Sequence, residues 1–524
     1  MNIMENLNQS IEEKFDAAII GAGNGGLVAA TQLALENKKI ILFEQHNLPG
    51  GFATSFKRGR FEFEASLHEL CDYGPESNKG GIYKLFDELG IDIPMVKVPE
   101  AYRLILTDPE EKLDIIVPFG VENYINTIIR IDPESETSVK KFISLLKEVH
   151  EALNYIRESK GNADKKVLMS EYGNFLRTAA YSLDDVLEAL DVSETAQKII
   201  KGYWVYLAIP TDRINFTIYA AMLYFFLIRG AFIPRYRSSG YTMALENRIR
   251  DLGGRVEYNT KVEKINVKDG KVIGLETSNG DKIQTNYVIS NASPTLVYND
   301  LINPKSERPE IGYKFVNARR HAVSCLVIYL GLNKSADELG LNEYSYVISD
   351  NMDTNQIYES FNTLEHPKVQ ATICLNNAIP DCSPEGTCIL SITSFFRPEA
   401  WKDVKKNEYF ALKDKIAIEL IKMFESATNT KISDYIEEME VATPETYVRY
   451  TGSYNGVTYG YEVDSWDSTL PRLMRMNEER FIDGLKICGG FSFQGVSYTN
   501  SLLSGQITAL LTLQDMMNGG DTDE

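Results

Sequence analysis

Residues 17 to 51 read AAIIGAGNGGLVAATQLALENKKIILFEQHNLPGG. An apolar strand, a glycine turn, a helix through Leu33 and Leu35 and a second apolar strand, KIILFE, follow one another without a break. That is a β-α-β unit, legible from Phe15 to Gln45, and it opens a parallel sheet. The turn, Gly21-Ala22-Gly23-Asn24-Gly25-Gly26, is a G-x-G-x-x-G string between strand and helix. Gly21 permits the tight turn, Gly23 leaves room for backbone to approach a pyrophosphate, and Gly26 lets helix and strand close up, with the helix N-terminus facing the phosphate charge. Ala30 and Leu33 hold the helix on the sheet. Glu44 ends the second strand, where a carboxylate accepts hydrogen bonds from ribose hydroxyls and repels a 2′-phosphate.

Just past Glu44 and Gln45 the chain reaches Gly50-Gly51 and then Phe52-Ala53-Thr54-Ser55, which makes E-x-x-x-x-x-G-G. The extended string resembles the fingerprint of glutathione-reductase-type FAD domains, with Asn37 where that family has a glycine before the second strand. The resemblance implies that Gly50, Gly51, Ala53 and Thr54 contact FAD, the glycine pair letting the chain pass close to the flavin side.

Composition narrows the partners. The 524 residues exceed what one core supports, so two or more units are expected. A formal net charge of -20 argues against nucleic acid, whose binding rests on Lys and Arg neutralising phosphates. Anionic membranes repel such a molecule as a whole, while a local apolar patch is compatible with peripheral membrane contact. The 6 cysteines form no C-x-x-C pair and no metal-like spacing with the 5 histidines, so no metal site is expected. Sparse cysteine and a start, MNIMENLNQSIEEKF, without a basic region or apolar core lead us to expect a cytoplasmic protein. The longest apolar run, Ile214 to Ile228, falls short of a membrane span and reads as a buried or cavity-lining helix.

Along the chain the period of the pattern changes. Residues 83 to 234 read as mostly helical, with few strand signals, while 255 to 293 read as alternating strands joined by Asp-Gly and Asn-Gly turns and ending in YVISNA. Glycine turns return in GLKICGGFSFQGVSYTNSLLSGQITA, before a long apolar helix. The fold expected is α/β, a Rossmann-like FAD domain of glutathione-reductase type assembled from 14–75, 235–300 and 475–518. A second, α+β substrate domain takes 76–234 and 301–474.

Downstream segments resemble the phytoene desaturase, carotenoid isomerase and retinol saturase group of amine-oxidase-like flavoproteins, over nearly the whole chain and most strongly at its ends. Arg58-Gly59-Arg60-Phe61-Glu62-Phe63-Glu64 is similar to the group's R-G-x-x-F-D step, with Glu64 for aspartate. The stretch from Phe63 is similar to F-D-T-G-I-H, placing His68 on the histidine and Ser66 on the glycine. SSGYTMALENRIRDLGGRVEYNTKVEKI resembles a segment whose valine, here Val262, offers backbone hydrogen bonds to adenine. Thr443-Pro444, Gly456, Tyr459 and Gly460 match a further stretch. The closing segment resembles G-L-x-x-x-G-x-x-x-x-x-G-V, which puts Gly489, Gly490, Gly495 and Val496 beside ribityl and isoalloxazine, with a helix starting near Ser497 aimed at the flavin.

The resemblance brings His68 near the flavin as a proton donor or acceptor, with a structural grip on a backbone carbonyl as the competing reading. Glu69 is its neighbour, and an exposed carboxylate is the ordinary state of a glutamate. Tyr459 lines the flavin face or the tunnel if it does not simply pack. Tyr203-Trp204-Val205-Tyr206 and the apolar run 214 to 228 form a wall suited to a long lipid, or ordinary core. Neither a second dinucleotide fingerprint nor a redox C-x-x-x-x-C follows the first fold. The expected chemistry is therefore hydride exchange between non-covalent FAD and a carbon of an apolar polyene or isoprenoid, as desaturation, saturation or isomerisation. The alternatives are a double-bond isomerase or hydratase-like enzyme of unsaturated fatty acids, an amine oxidase, and a non-catalytic flavin or lipid carrier.

Overall fold

The computed structural model describes residues 12–159, 163–463, 467, 472, 481–492, 495 and 497–520. The β-α-β unit forms as Ala17–Ile20, Asn24–Leu35 and Ile40–Phe43. Every residue of both strands is buried, as expected where an apolar run lies in a parallel sheet covered on both faces. The sheet runs Arg255–Glu257, Ile40–Phe43, Ala17–Ile20, Val288–Ser290, Leu485–Ile487, each pair parallel. Its strands therefore come from both ends and the middle of the chain. Asn37 turns the chain between helix and second strand at φ 56, a left-handed conformation that asparagine tolerates better than most residues, which is how it stands in for glycine.

The first helix is buried from Asn24 to Ala34, so it lacks a polar stripe. The sheet covers one side and the closing helix, Tyr498–Gly520, the other. The helices meet where both lack a side chain: a Cβ on Gly505 would lie 2.3 Å from the carbonyl oxygen of Gly25. Beside this layer the expected meander forms as Val262–Lys268, Lys271–Thr277 and Lys282–Gln284, antiparallel throughout. Asp269 and Gly270, at φ 52 and 74, make the tight hairpin turn that needs two left-handed residues.

A larger, seven-stranded sheet is ordered Ile436–Ala442, Ser324–Leu332, Cys388–Phe396, Val369–Cys374, Ser345–Ser349, Tyr102–Leu106, Leu113–Val117. Alternation along the central strands splits its two faces. Leu326, Ile328, Leu330 and Ile392 meet the helix Tyr409–Thr428 through Ile416, Leu420 and Phe424. Cys325, Val327, Tyr329 and Phe395 face the main core. The last two strands correct the helical reading of 83 to 234: they form a hairpin, and Tyr102–Leu106 adds parallel to Ser345–Ser349. The rest of that segment is largely helical, including Glu136–Glu158 and Phe216–Arg229. The latter is capped by Asn215, whose side chain accepts from the Thr217 amide, and is mostly buried. No helix among the described residues is long and apolar enough to cross a membrane.

Candidate active site

The glycine string lies where the parallel sheet ends. The helix Asn24–Leu35 begins with no side-chain cap and no acidic residue in its first turn, although Asn24, Gly25 and Gly26 are buried. Asn24 is turned away, its Oδ1 accepting from the Tyr241 hydroxyl at 2.9 Å. A buried helix start with free amides calls for an acceptor, and its partial positive charge suits an anion. The arrangement fits the pyrophosphate of a dinucleotide.

Two further segments close on this turn. Glu44, 9% exposed, accepts from the Ala22 amide at 2.7 Å and the His46 amide at 2.8 Å, so one carboxylate braces the turn and the chain leaving the second strand. Gly50 returns on the turn and donates to the Ala22 carbonyl at 2.7 Å. Ala53 then donates to the Gly50 carbonyl at 3.0 Å. Gln45 is exposed, Thr54 is half-buried, and Val262 starts a strand two residues after Thr260, whose amide donates to the Glu44 carbonyl at 2.9 Å.

Asn291, unmarked in the sequence, explains much of the glycine requirement. It follows the strand Val288–Ser290 and donates its amide to the Ile20 carbonyl at 2.8 Å. Its Nδ2 lies 2.3 Å from where a Gly23 Cβ would sit, and its Oδ1 2.8 Å and 2.3 Å from the Cβ positions of Gly25 and Gly489. Gly489 donates to Ser504 Oγ at 2.8 Å, tying the closing turn to the closing helix. Gly490 faces only Ser501 Oγ, 3.5 Å from its Cβ position, and Gly495 turns at φ 82. Ser497 caps the closing helix, its Oγ accepting from the Asn500 amide at 3.0 Å. Val496 lies outside the described residues. Cys488 is buried, its thiol pushed up by burial and directed at Asn291 Oδ1 at 3.8 Å.

Beyond the turn, His68, Cys71, Tyr206, Tyr459 and Tyr498 are half-buried, each surrounded by neighbouring residues yet keeping some free surface. Tyr498 donates to the Phe52 carbonyl at 2.9 Å and meets Ser66 Oγ at 2.7 Å, linking the closing helix to the segment after the second glycine pair. The far wall is the seven-stranded sheet: His68 Nε2 meets Thr393 Oγ1 at 3.0 Å, and Tyr459 packs edge-on to Phe395 at 5.7 Å. Tyr459 also donates to the Val205 carbonyl at 3.4 Å. The motif around Tyr203 supplies the third wall, with the Tyr206 ring 6.3 Å from the His68 ring. A surface groove of about 1090 Å³ between the helices Glu136–Glu158 and Leu183–Ala189 shares none of these residues.

Electrostatics separate the two neighbouring candidates. Burial holds the His68 imidazole down to about 4, so it is neutral at physiological pH. Glu69 is not the exposed carboxylate the residue type suggests: it is 8% exposed, and burial raises it to about 8 against the opposing pull of the Tyr206 hydroxyl, which stands near it without forming a hydrogen bond of good geometry. Glu64, at the position where aspartate is usual, is also buried and raised to about 7. It is satisfied, accepting from the Ser238 amide at 2.7 Å, Ser238 Oγ at 2.8 Å and the Leu67 amide at 3.2 Å.

Residues 19–89 match the NAD(P)-binding Rossmann-like domain family. The chain is 25% identical to prolycopene isomerase 1, chloroplastic, of an Oncidium hybrid cultivar over 468 residues, 86% of this chain and 75% of that one. It is likewise 25% identical to all-trans-retinol 13,14-reductase of Danio rerio over 483 residues, 87% of this chain and 79% of the other. The chain fits the carotenoid isomerase and retinol saturase-like family. Among solved structures it shares its fold with putrescine oxidase bound to putrescine, at TM-score 0.61 and 15% identity, covering 96% of this chain and 99% of that one. These relatives are enzymes, and the family resemblance read from the closing segments agrees with them.

Proposed function

We propose that the chain is an FAD-dependent oxidoreductase or isomerase acting on carbon–carbon bonds of an apolar polyene or isoprenoid. The observation that carries this reading is the nearness of two features: an uncapped, buried helix start that suits a pyrophosphate, and a group of half-buried aromatic residues tied to the segment after the second glycine pair by the Tyr498 bond to Phe52. In this reading Gly21 to Gly26 hold the pyrophosphate and Glu44 and Gln45 meet the ribose. Val262 meets the adenine, and Gly50, Gly51, Ala53, Thr54, Gly489, Gly490, Gly495 and Val496 lie along the ribityl and ring. Bound FAD supplies hydride exchange with carbon.

The chain's own residues do the rest. Tyr206, Tyr459 and Tyr498 present ring surface to an apolar chain, with Phe395 packed behind Tyr459, and keep water out. His68, neutral and held by Thr393, is a base or hydrogen-bond acceptor between about pH 4 and 8, while Glu69 beside it keeps its proton over the same range. The test is anaerobic mixing of FAD-loaded protein with polyenes, unsaturated fatty acids and amines while the flavin band is recorded. Bleaching or a shift with polyenes supports the reading, and a response confined to amines or fatty acids replaces it.

A further inference from the structure

Two buried carboxyls, Glu64 and Glu69, and a half-buried one, Glu100, lie in this region, and the fold treats them differently. Glu64 is satisfied by Ser238 and Leu67, and Glu100 accepts from the Ser345 amide at 3.3 Å and from the Tyr344 amide. Glu69 has no backbone donor among the described residues: the Tyr206 hydroxyl stands close enough to favour its charged form, without the geometry of a formed hydrogen bond. Around it stand Tyr102, Tyr203, Tyr206 and Tyr344, all close enough to interact with its carboxyl. The Tyr203 ring lies 4.8 Å from that of Tyr102 and 5.6 Å from that of Tyr206. The hydroxyls of Tyr203 and of Tyr124 next to it are also buried, with no hydrogen-bond partner among the described residues. Leaving several polar atoms unmatched in an aromatic interior is costly, and proteins do so chiefly where a ligand or water completes them. Tyr206 joins this nest to the half-buried group around His68, since it keeps free surface and packs edge-on to His68.

We propose that Glu69, Tyr203 and Tyr206 form a subsite for an uncharged oxygen function, a hydroxyl or carbonyl, on the substrate, so that the site selects an oxygen-bearing polyene over the matching hydrocarbon. This rests on the polyene reading above and adds to it the chemistry of one end of the substrate. A carboxyl that keeps its proton offers a donor and an acceptor together, and the two phenols each offer another of both. A hydroxyl or carbonyl oxygen finds complementary groups there. A hydrocarbon end leaves them unmatched, and sites built to hydrogen-bond a substrate oxygen reject the analogue that lacks it.

The experiment compares all-trans-retinol with axerophthene, the hydrocarbon lacking only its hydroxyl, by fluorescence titration of the FAD-loaded protein. The alcohol should bind at least about tenfold more tightly. Glu69→Leu and Tyr203→Phe should bring the ratio towards one with hydrocarbon binding retained. If Glu69→Leu fails to load FAD, the nearly isosteric Tyr203→Phe decides the matter. Equal affinities in the parent protein, or an alcohol preference that survives both substitutions, overturn the subsite and leave the polyene reading standing. Failure of the FAD-loaded protein to bind either compound removes the polyene reading and the subsite together.

Discussion

Asn291 makes the glycines of the turn unequal, which alanine substitution tests. A Cβ at Gly25 would lie 2.6 Å from the Gly489 backbone nitrogen, and one at Gly26 2.0 Å from the Gly21 carbonyl, neither of which can step aside. At Gly23 the nearest atom is the end of the Asn291 side chain. Gly25→Ala and Gly26→Ala should yield protein without flavin, and Gly23→Ala protein that keeps part of it, measured as FAD content per chain. Glu44→Ala should weaken FAD binding roughly tenfold or more, because it removes a charged acceptor and also releases the Ala22 and His46 amides. Unchanged flavin occupancy would leave Glu44 no ribose role. For His68→Gln we expect intact FAD and turnover slowed on the order of a hundredfold. Full activity would make the Thr393 contact purely structural. The motif spacing made the glycines and Glu44 legible in the sequence. Asn291 was hidden because it acts by filling space that only the folded turn creates, and the burial of Glu69 depends on tyrosines far away along the chain.

At the scale of elements, the closing helix lies on the glycine-turn helix through Gly505, so a side chain there must part the two. Gly505→Val should lower the melting temperature and FAD content together, and loss of neither would mean that the contact is not needed. A second prediction concerns the segment bearing Glu69. Its carboxyl ionises near 4.5 when unfolded and near about 8 when folded, so the stability it contributes is complete below the lower value and is lost as pH rises through the upper one. Glu69→Gln should therefore raise the melting temperature relative to the parent by a few degrees more at about pH 9 than at about pH 5. An equal offset at both would place the carboxyl in water. The elements read best from sequence were those whose period is a matter of their own residues: the β-α-β unit, the meander with its Asp-Gly turn, and the closing helix. The hairpin Tyr102–Leu106 and Leu113–Val117 escaped because it is short, lies between long helices, and gains its place by pairing with a strand more than two hundred residues later.

Over the whole molecule, the chain returns three times to one parallel sheet and spends the intervening lengths on a larger sheet and a helical cover. The cofactor turn lies on the first and the aromatic wall on the second, so the candidate site exists only once segments from both are assembled. That explains why the glycine-turn half of the candidate site was more legible in the sequence than the aromatic half. The most direct measurement of the central claim is the visible spectrum of purified protein loaded with FAD, recorded anaerobically before and after addition of a polyene. A protein-bound flavin band should bleach or shift with the polyene and be unmoved by amines. Protein that stays colourless after incubation with FAD would contradict that claim.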